Sequence, residues 1–536
     1  MMSTVKDVTF NLLRKLGLNI IVGNPGSTEE PFLKNFPSDF EYVMALQEAS
    51  VVSIADGLSQ GLRKPVVVNI HTGAGTGNAM CAIFTAFLNK TPLIITAGQQ
   101  TRDMLLSEPM LTNIQATALP HPWVKWAYEP ARAQDIPGAF MRAYAMAVQE
   151  PAGPVFLSLP LDDWDQSMED IDVSRIVSTR IGPDPALIAD FADQINAAKS
   201  PVLVFGGDVA RAGINAWEHG VKLAESLGAP VWSAPFCERP GFPETHPQFA
   251  GSLPPAIGPL ASRLEGHDLV LVIGSPVFRY YPYVAGSFLP KGAELLHVTD
   301  DPDSTAKAVV GKSMVSNVEL FLDALLPKII PRPTYAGLPL REAPQPASNE
   351  IPLTPASVYA TLNALLPSDF VLTQESPSNI PQMQDQIRIG KPDVSYSFAS
   401  GALGWTTPAS VGLAIAEQKM GRNRPTICFM GDGSFQYSVQ GIYTAVQQKA
   451  HVIYVVLQNE EYGILKEFAE LEGTPGVPGL DLPDIDIVSL GKAYGAQTKL
   501  ASNTQELTDA FTSSLEFKGT SVIVVPITRK LIPLVS

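Results

Sequence analysis

Two short segments hold the strongest chemical signal in this 536-residue chain. A Gly-Asp-Gly-Ser turn at 431–434 follows the apolar run 425–430 (PTICFM), and 458–463 (QNEEYG) follows a second run, 452–457 (VIYVVL). If the two runs are neighbouring parallel strands, their carboxyl ends bring these turns together. Asp432 then offers a carboxylate oxygen and Asn459 an amide oxygen, hard donors that Mg²⁺ accepts alongside phosphate and water. Gly431, Gly433 and Ser434 open a helix whose backbone N–H groups can face a diphosphate. Either turn alone reads as a polar strand end; the pair at this spacing points to a metal–diphosphate site.

Three further segments put reactive side chains at strand ends. Glu48, in 45–50 (ALQEAS), stands where an extended run becomes a helix. Alone it reads as a first-turn acid favoured by the helix dipole. Ser27 with Glu30, in 24–30 (NPGSTEE), fits a capping box, although the same turn exposes the Ser27 hydroxyl at a strand end. His71 leads from a strand into the glycine-rich 72–78 (TGAGTGN). Glycines 73, 75 and 77 do not make G-x-G-x-x-G, so a dinucleotide loop is a weak reading there. The chain contains no HExxH pair, GxSxG elbow or Walker lysine loop, which argues against a histidine zinc site and those hydrolase chemistries.

A scaffold that ends many strands on one side would gather these residues. Short β-branched runs, such as 65–70 (PVVVNI), 92–97 (PLIITA) and 201–205 (PVLVF), alternate with helical stretches throughout. That pattern predicts an α/β protein whose parallel sheets are flanked by helices. The acidic stretch 162–172 (DDWDQSMEDID) reads as a linker. So does the segment carrying Pro327, Pro331, Pro333, Pro339, Pro344, Pro346 and Pro352. They divide the chain into three α/β domains, 1–175, 176–344 and 345–536. The glycine-containing turns 23–27 (GNPGS) and 431–434 hint that the first and third have related folds. With 45% hydrophobic and 17% charged residues the chain is globular rather than disordered. Lys plus Arg total 37 against 53 Asp plus Glu, a net charge of −16 that argues against a nucleic-acid partner. Three cysteines with no CxxC suit a reducing compartment. No secretory signal opens the chain, and no apolar run reaches the ~18 residues of a membrane span. The expectation is a cytoplasmic protein without a membrane partner.

The segments 22–40, 45–57, 71–80, 431–438 and 478–487 together resemble thiamine diphosphate (ThDP)-dependent 2-oxo acid decarboxylases, and the resemblance covers nearly the whole chain. It implies three domains that are pyrimidine-binding, middle and diphosphate-binding. Asp432, Asn459 and the backbone carbonyl of Glu461 would hold Mg²⁺. Ser378 and Ser434 would contact the diphosphate, and Gly433 and Tyr462 would bind the cofactor as well. Leu403, with Gly401, would prop the cofactor in its bent shape, Glu48 would hydrogen-bond the aminopyrimidine, and Asn78 would also bind the cofactor. Glu48 would share its proton with a ring nitrogen, a task for a buried carboxyl. The thiazolium ring of ThDP accepts the electron pair left by departing CO₂. Ser27 would orient the substrate carboxylate and His71 would relay protons. The site would lie between two subunits, so a homodimer is the minimum unit and a homotetramer is typical. The implied reaction is decarboxylation of an aromatic 2-oxo acid such as benzoylformate, with carboligation of aldehydes as a side activity.

Some positions depart from the family. Gln458-Asn459 stands where Asn-Asn is usual, and Pro377 replaces a threonine. Tyr281 occupies the place of a second catalytic histidine; a phenol titrates near ~10 against ~6.5 for imidazole and is a poorer relay near neutrality. Met110, Leu111, Phe398, Ile464, Leu465 and Phe468 would line the substrate pocket. Ile464 narrows it, which opens an alternative: aliphatic or branched 2-oxo acids or aldehydes as substrates. A flavin or nicotinamide oxidoreductase is a further alternative, raised by the nucleotide-domain-like segments 202–208 and 294–301.

Overall fold

The computed structural model describes residues 2–333, 341 and 343–534. Three six-stranded sheets, parallel throughout, follow one another along the chain. The first orders its strands Glu41–Met44, Ile20–Asn24, Val66–Ile70, Leu93–Gln99, Val155–Pro160 and Ala127–Tyr128. The third orders Ser395–Tyr396, Val371–Glu375, Thr426–Gly431, Val452–Gln458, Ser521–Pro526 and Gln497–Leu500. Counted along the chain within each sheet, both have the same strand order, which bears out the related folds suggested by their turns. Strands such as Leu93–Gln99 are buried from end to end because helices cover both faces.

Helix Glu48–Leu62 of the first unit packs along helix Thr406–Lys419 of the third. Their backbones nearly touch. A Cβ on Gly412 would stand 2.0 Å from the Ile54 carbonyl oxygen, and one on Gly57 2.1 Å from that of Ala409. Val51, Ile54 and Leu58 share a single apolar cluster with Val411, Ala414 and Ile415.

The middle sheet keeps its own core. It orders Phe249–Ser252, Val231–Ser233, Pro201–Phe205, Leu269–Ile273, Glu294–Thr299 and Lys312–Val315, the doubly wound arrangement. Ligands of such sheets enter between the two strands where the order reverses, here Pro201–Phe205 and Leu269–Ile273. In this chain side chains occupy that crevice. Lys90, from the first unit, bonds Asp208 at 2.9 Å and Asp300 at 2.5 Å. Arg211 joins Asp208 to Glu238, and Arg279 closes the chain of pairs on Glu238.

The acidic stretch 162–172 is docked rather than free. Trp164 and Met168 enter the first unit's core, Asp163 pairs with Arg102, and Ser167–Glu169 forms an antiparallel pair with Met2–Thr4. Trp164 and Met168, its two buried apolar side chains, anchor it, and helix and strand are instead absent from 170–184. Of the prolines in the second linker, Pro339 lies outside the described residues. Among the described residues, no helix is long and apolar enough to cross a membrane.

Candidate active site

The strands Thr426–Gly431 and Val452–Gln458 pair directly, Gly431 opposite Leu457. Their turns therefore meet. Asp432 is buried as the first residue of helix Asp432–Tyr437. Its carboxylate accepts the N–H of Gly433 at 2.8 Å and of Glu460 at 2.6 Å. Burial nevertheless pushes the Asp432 carboxyl up to about 6. One terminal atom of the Asn459 carboxamide lies 3.2 Å from Asp432 Oδ1 and 2.9 Å from the Glu461 backbone oxygen. An unliganded amide would present its nitrogen there, and a bound cation selects its oxygen. In an octahedron with bonds of ~2.1 Å, adjacent ligand atoms sit about 3.0 Å apart, so the three groups fit Mg²⁺. Glu460, between the two, adopts φ +56, a left-handed turn that brings the side chain of 459 and the carbonyl of 461 to one point. Gln458 turns elsewhere and donates to the Ile485 carbonyl.

Glycines and hydroxyls line the floor around this point. A Cβ on Gly433 would meet the Tyr462 ring at 2.6 Å, and one on Gly463 would lie 3.1 Å from Ser378 Oγ and from Asn459 Nδ2. The Ser376 and Ser434 hydroxyls both lie 3.9 Å from the position of a Cβ on Gly431. An approach without side chains, at a helix start rich in N–H groups, fits a diphosphate. The loop 401–405, with Gly401 at φ +70 and Gly404 at φ +103, carries Leu403. Gly404 sits against Tyr437 and Ser438, at the end of the helix that Asp432 begins.

The first unit builds a second cluster. Glu48, 8% exposed, opens its helix and receives the amides of Asn24 at 3.3 Å and Asn78 at 3.0 Å. His71 ends strand Val66–Ile70 and precedes helix Thr72–Leu88, with Thr72 at φ +41. The His71 Nδ1 lies 2.9 Å from Glu29 Oε2 and 3.2 Å from Thr28 Oγ1. Glu29 is buried and its other oxygen takes the N–H of Gly98 at 2.7 Å. A carboxylate on Nδ1 sets the imidazole tautomer and leaves Nε2 available for proton transfer. Gly26 makes room, since a Cβ there would stand 2.1 Å from the ring.

The capping box read at Ser27 and Glu30 does not form. The residue before helix Glu30–Leu33 is Glu29, and no side chain caps it. Glu29 instead serves His71, and Ser27 stays exposed on the turn. Glu29 is thus the site residue the sequence reading missed; two adjacent acids after a glycine turn, where a cap needs one, were the available signal.

Of the expected pocket residues, Ile464, Leu465 and Phe468 share helix Gly463–Leu471, and the Tyr281 ring packs on Phe468 at 4.8 Å between centroids. Phe398 packs on Trp405 at 6.0 Å. Met110 and Leu111 lie apart from these in an exposed stretch of the first unit, Met110 85% accessible. Leu106, Met104 and Ile114 are exposed in the same stretch. Glu48 lies against Asn78 early in helix Thr72–Leu88, whereas Ser400, beside the Leu403 loop, contacts Thr85, two turns or about 10 Å further along.

Comparison with known proteins agrees with this architecture. The chain matches the thiamine pyrophosphate enzyme N-terminal TPP binding domain over residues 3–119, the central domain over 188–325 and the C-terminal TPP binding domain over 382–525. It belongs to the thiamine pyrophosphate (thiamine diphosphate) enzyme family, and thiamine diphosphate is its cofactor. Within that family it is 40% identical to the benzoylformate decarboxylase of Pseudomonas aeruginosa, over 98% of this chain and 99% of the relative. The crystal structure of benzoylformate decarboxylase from Polynucleobacter necessarius superposes with a TM-score of 0.98 at 62% identity, covering 99% of both chains. The 4-hydroxybenzoylformate decarboxylase of Rhodococcus jostii RHA1 superposes with a TM-score of 0.93 at 38% identity, over 98% of this chain and 99% of that one.

Proposed function

We propose that this protein is a carboxy-lyase that decarboxylates an aromatic 2-oxo acid, benzoylformate or a ring-substituted relative, with ThDP and Mg²⁺. Full-length similarity to decarboxylases of that substrate class supports the reaction. The observation that supports the metal is that one Asn459 carboxamide atom lies 3.2 Å from Asp432 Oδ1 and 2.9 Å from the Glu461 backbone oxygen, near the spacing of adjacent octahedral ligands. ThDP supplies an electron sink for the pair left when CO₂ departs. Ser378, Ser434, Gly433 and Tyr462 would hold its diphosphate end, and Leu403 would support it. Glu48, shielded from water between Asn24 and Asn78, holds a proton for the pyrimidine ring. Ser27 orients the substrate carboxylate from its exposed turn. His71, aligned by Glu29, moves the proton that the product aldehyde requires.

The working unit is a homodimer or a homotetramer. The exposed apolar stretch bearing Leu106 and Met110 is a surface that a second copy would cover. Tyr281, stacked on Phe468, walls the pocket in place of a second histidine. The three cysteines are free, which suits the cytoplasm. Carboligation of aldehydes is a side reaction of the same site.

Benzoylformate, pyruvate and a branched-chain 2-oxo acid should be compared by kcat/KM with and without added ThDP and Mg²⁺. Benzoylformate is expected to lead, with turnover lost when both are stripped. A preference for pyruvate or the branched acid would instead support the aliphatic reading prompted by Ile464.

A further inference from the structure

We propose that Asp56 and Glu375, two buried acids outside the binding and catalytic set, are positioning residues that hold the loop 401–405 so that Leu403 is presented to the cofactor. The inference rests on the reading of Leu403 as the cofactor's support. The loop turns through left-handed backbone at Gly401 and Gly404 and runs into helix Thr406–Lys419, whose N-cap residue, Trp405, provides no side-chain cap. Glu375 does this from the end of its own strand. Its two oxygens take the N–H of Gly404 at 2.6 Å and of Thr406 at 2.8 Å, spanning the bend. A carboxylate at a helix start also opposes the positive end of the dipole.

Asp56 grips the same loop from the first unit. It accepts the Trp405 indole N–H at 2.7 Å, together with Gln60 at 2.8 Å, Asn89 at 2.9 Å and Thr91 at 2.6 Å. Every one of these donors is neutral. A buried acid without a cation is a poor choice for stability alone, and an apolar pair would serve the packing better. What the acid adds is direction: four donors from three segments converge on two oxygens and fix the indole. Ser400 to Thr85 at 2.9 Å and Ala399 N–H to Asn89 at 2.9 Å extend the grip to the loop's leading edge. Because Gly404 lies against Tyr437 and Ser438, movement of the loop would also disturb the helix that begins with Asp432.

The test is titration of the apoenzyme with ThDP at fixed Mg²⁺, followed by calorimetry, alongside the apo melting temperature and the substrate KM at saturating ThDP. Trp405→Phe deletes one N–H and keeps a ring. It is expected to weaken ThDP binding about tenfold, as loss of a hydrogen bond to a charged group should, while KM stays within twofold. Glu375→Gln, which loses the charge and one acceptor, is expected to do at least as much. Leu403→Ala reports on the premise: if it binds ThDP as the parent does, Leu403 is not the support, and the proposal falls with that reading. If Leu403→Ala weakens binding but Trp405→Phe leaves it within twofold, or lowers only the apo melting temperature, the acids are structural and the proposal is overturned. Should Glu375→Gln fail to fold, Trp405→Phe decides.

Discussion

A single buried carboxylate shows how far one side chain reaches in this site. Glu29 binds the Gly26 and Gly98 N–H groups and still meets His71 at 2.9 Å. It therefore fixes both the backbone under the ring and the tautomer of the ring. Glu29→Gln is expected to lower kcat by roughly 10- to 100-fold, as loss of an orienting partner does elsewhere, with ThDP affinity unchanged. Steady-state kinetics beside a ThDP titration would check the split. Glu244 tests burial instead of catalysis. It is buried where the middle unit meets the third, accepts the Ile389 N–H at 2.9 Å, and is pushed by burial up to about 7. An acid whose folded pKa lies above its unfolded one stabilises below the unfolded pKa and loses that contribution as pH rises through the folded one. The window runs from the ordinary 4.5 to about 7. Across it Glu244→Gln should flatten the decline of unfolding free energy by about 1 kcal/mol per pH unit, as measured by denaturant titration at several pH values.

Three of the candidate site side chains sit where a strand ends and a helix begins, so the strand–helix unit supplies the precision. Asp432, Glu48 and His71 all occupy such junctions. These junctions were readable in the sequence because apolar runs end abruptly at glycine and polar residues. The crossing of helices Glu48–Leu62 and Thr406–Lys419 was not, since nothing local marks which glycines face another backbone. Gly412→Ala would press a methyl to 2.0 Å from the Ile54 carbonyl oxygen. Forcing the helices apart is expected to cost about 1–3 kcal/mol, as overpacking does, visible as a lower melting temperature and weaker ThDP binding. The same addition of a methyl on an exposed helix face, with no backbone opposite, would show neither.

In the whole molecule, the middle unit is tied to the first through Lys90, whose ammonium is enclosed by Asp208 and Asp300. Lys90→Met leaves two buried acids without that cation. It should destabilise the protein by about 3–5 kcal/mol, and adding Asp300→Asn should recover part of the loss; chemical denaturation of the single and double variants measures both. The same cluster explains why a doubly wound sheet here need not take a nucleotide. Its crevice is already filled with paired charge, and a ligand would have to displace those pairs. The similarity of 202–208 and 294–301 to nucleotide domains was therefore true of the topology and silent on the binding.

From composition and pattern came the α/β units, the hint that the first and third are related, and the paired turns carrying Asp432 and Asn459, because each depends on residue type at short range; Glu48 stood out only through the family resemblance. Only the folded chain decided that Glu29 serves His71 rather than a helix cap, that Trp164 and Met168 dock the acidic stretch, and that Lys90 closes the middle crevice. Those outcomes turn on contacts between residues distant in sequence, where desolvation and packing choose among partners that local propensity leaves equal.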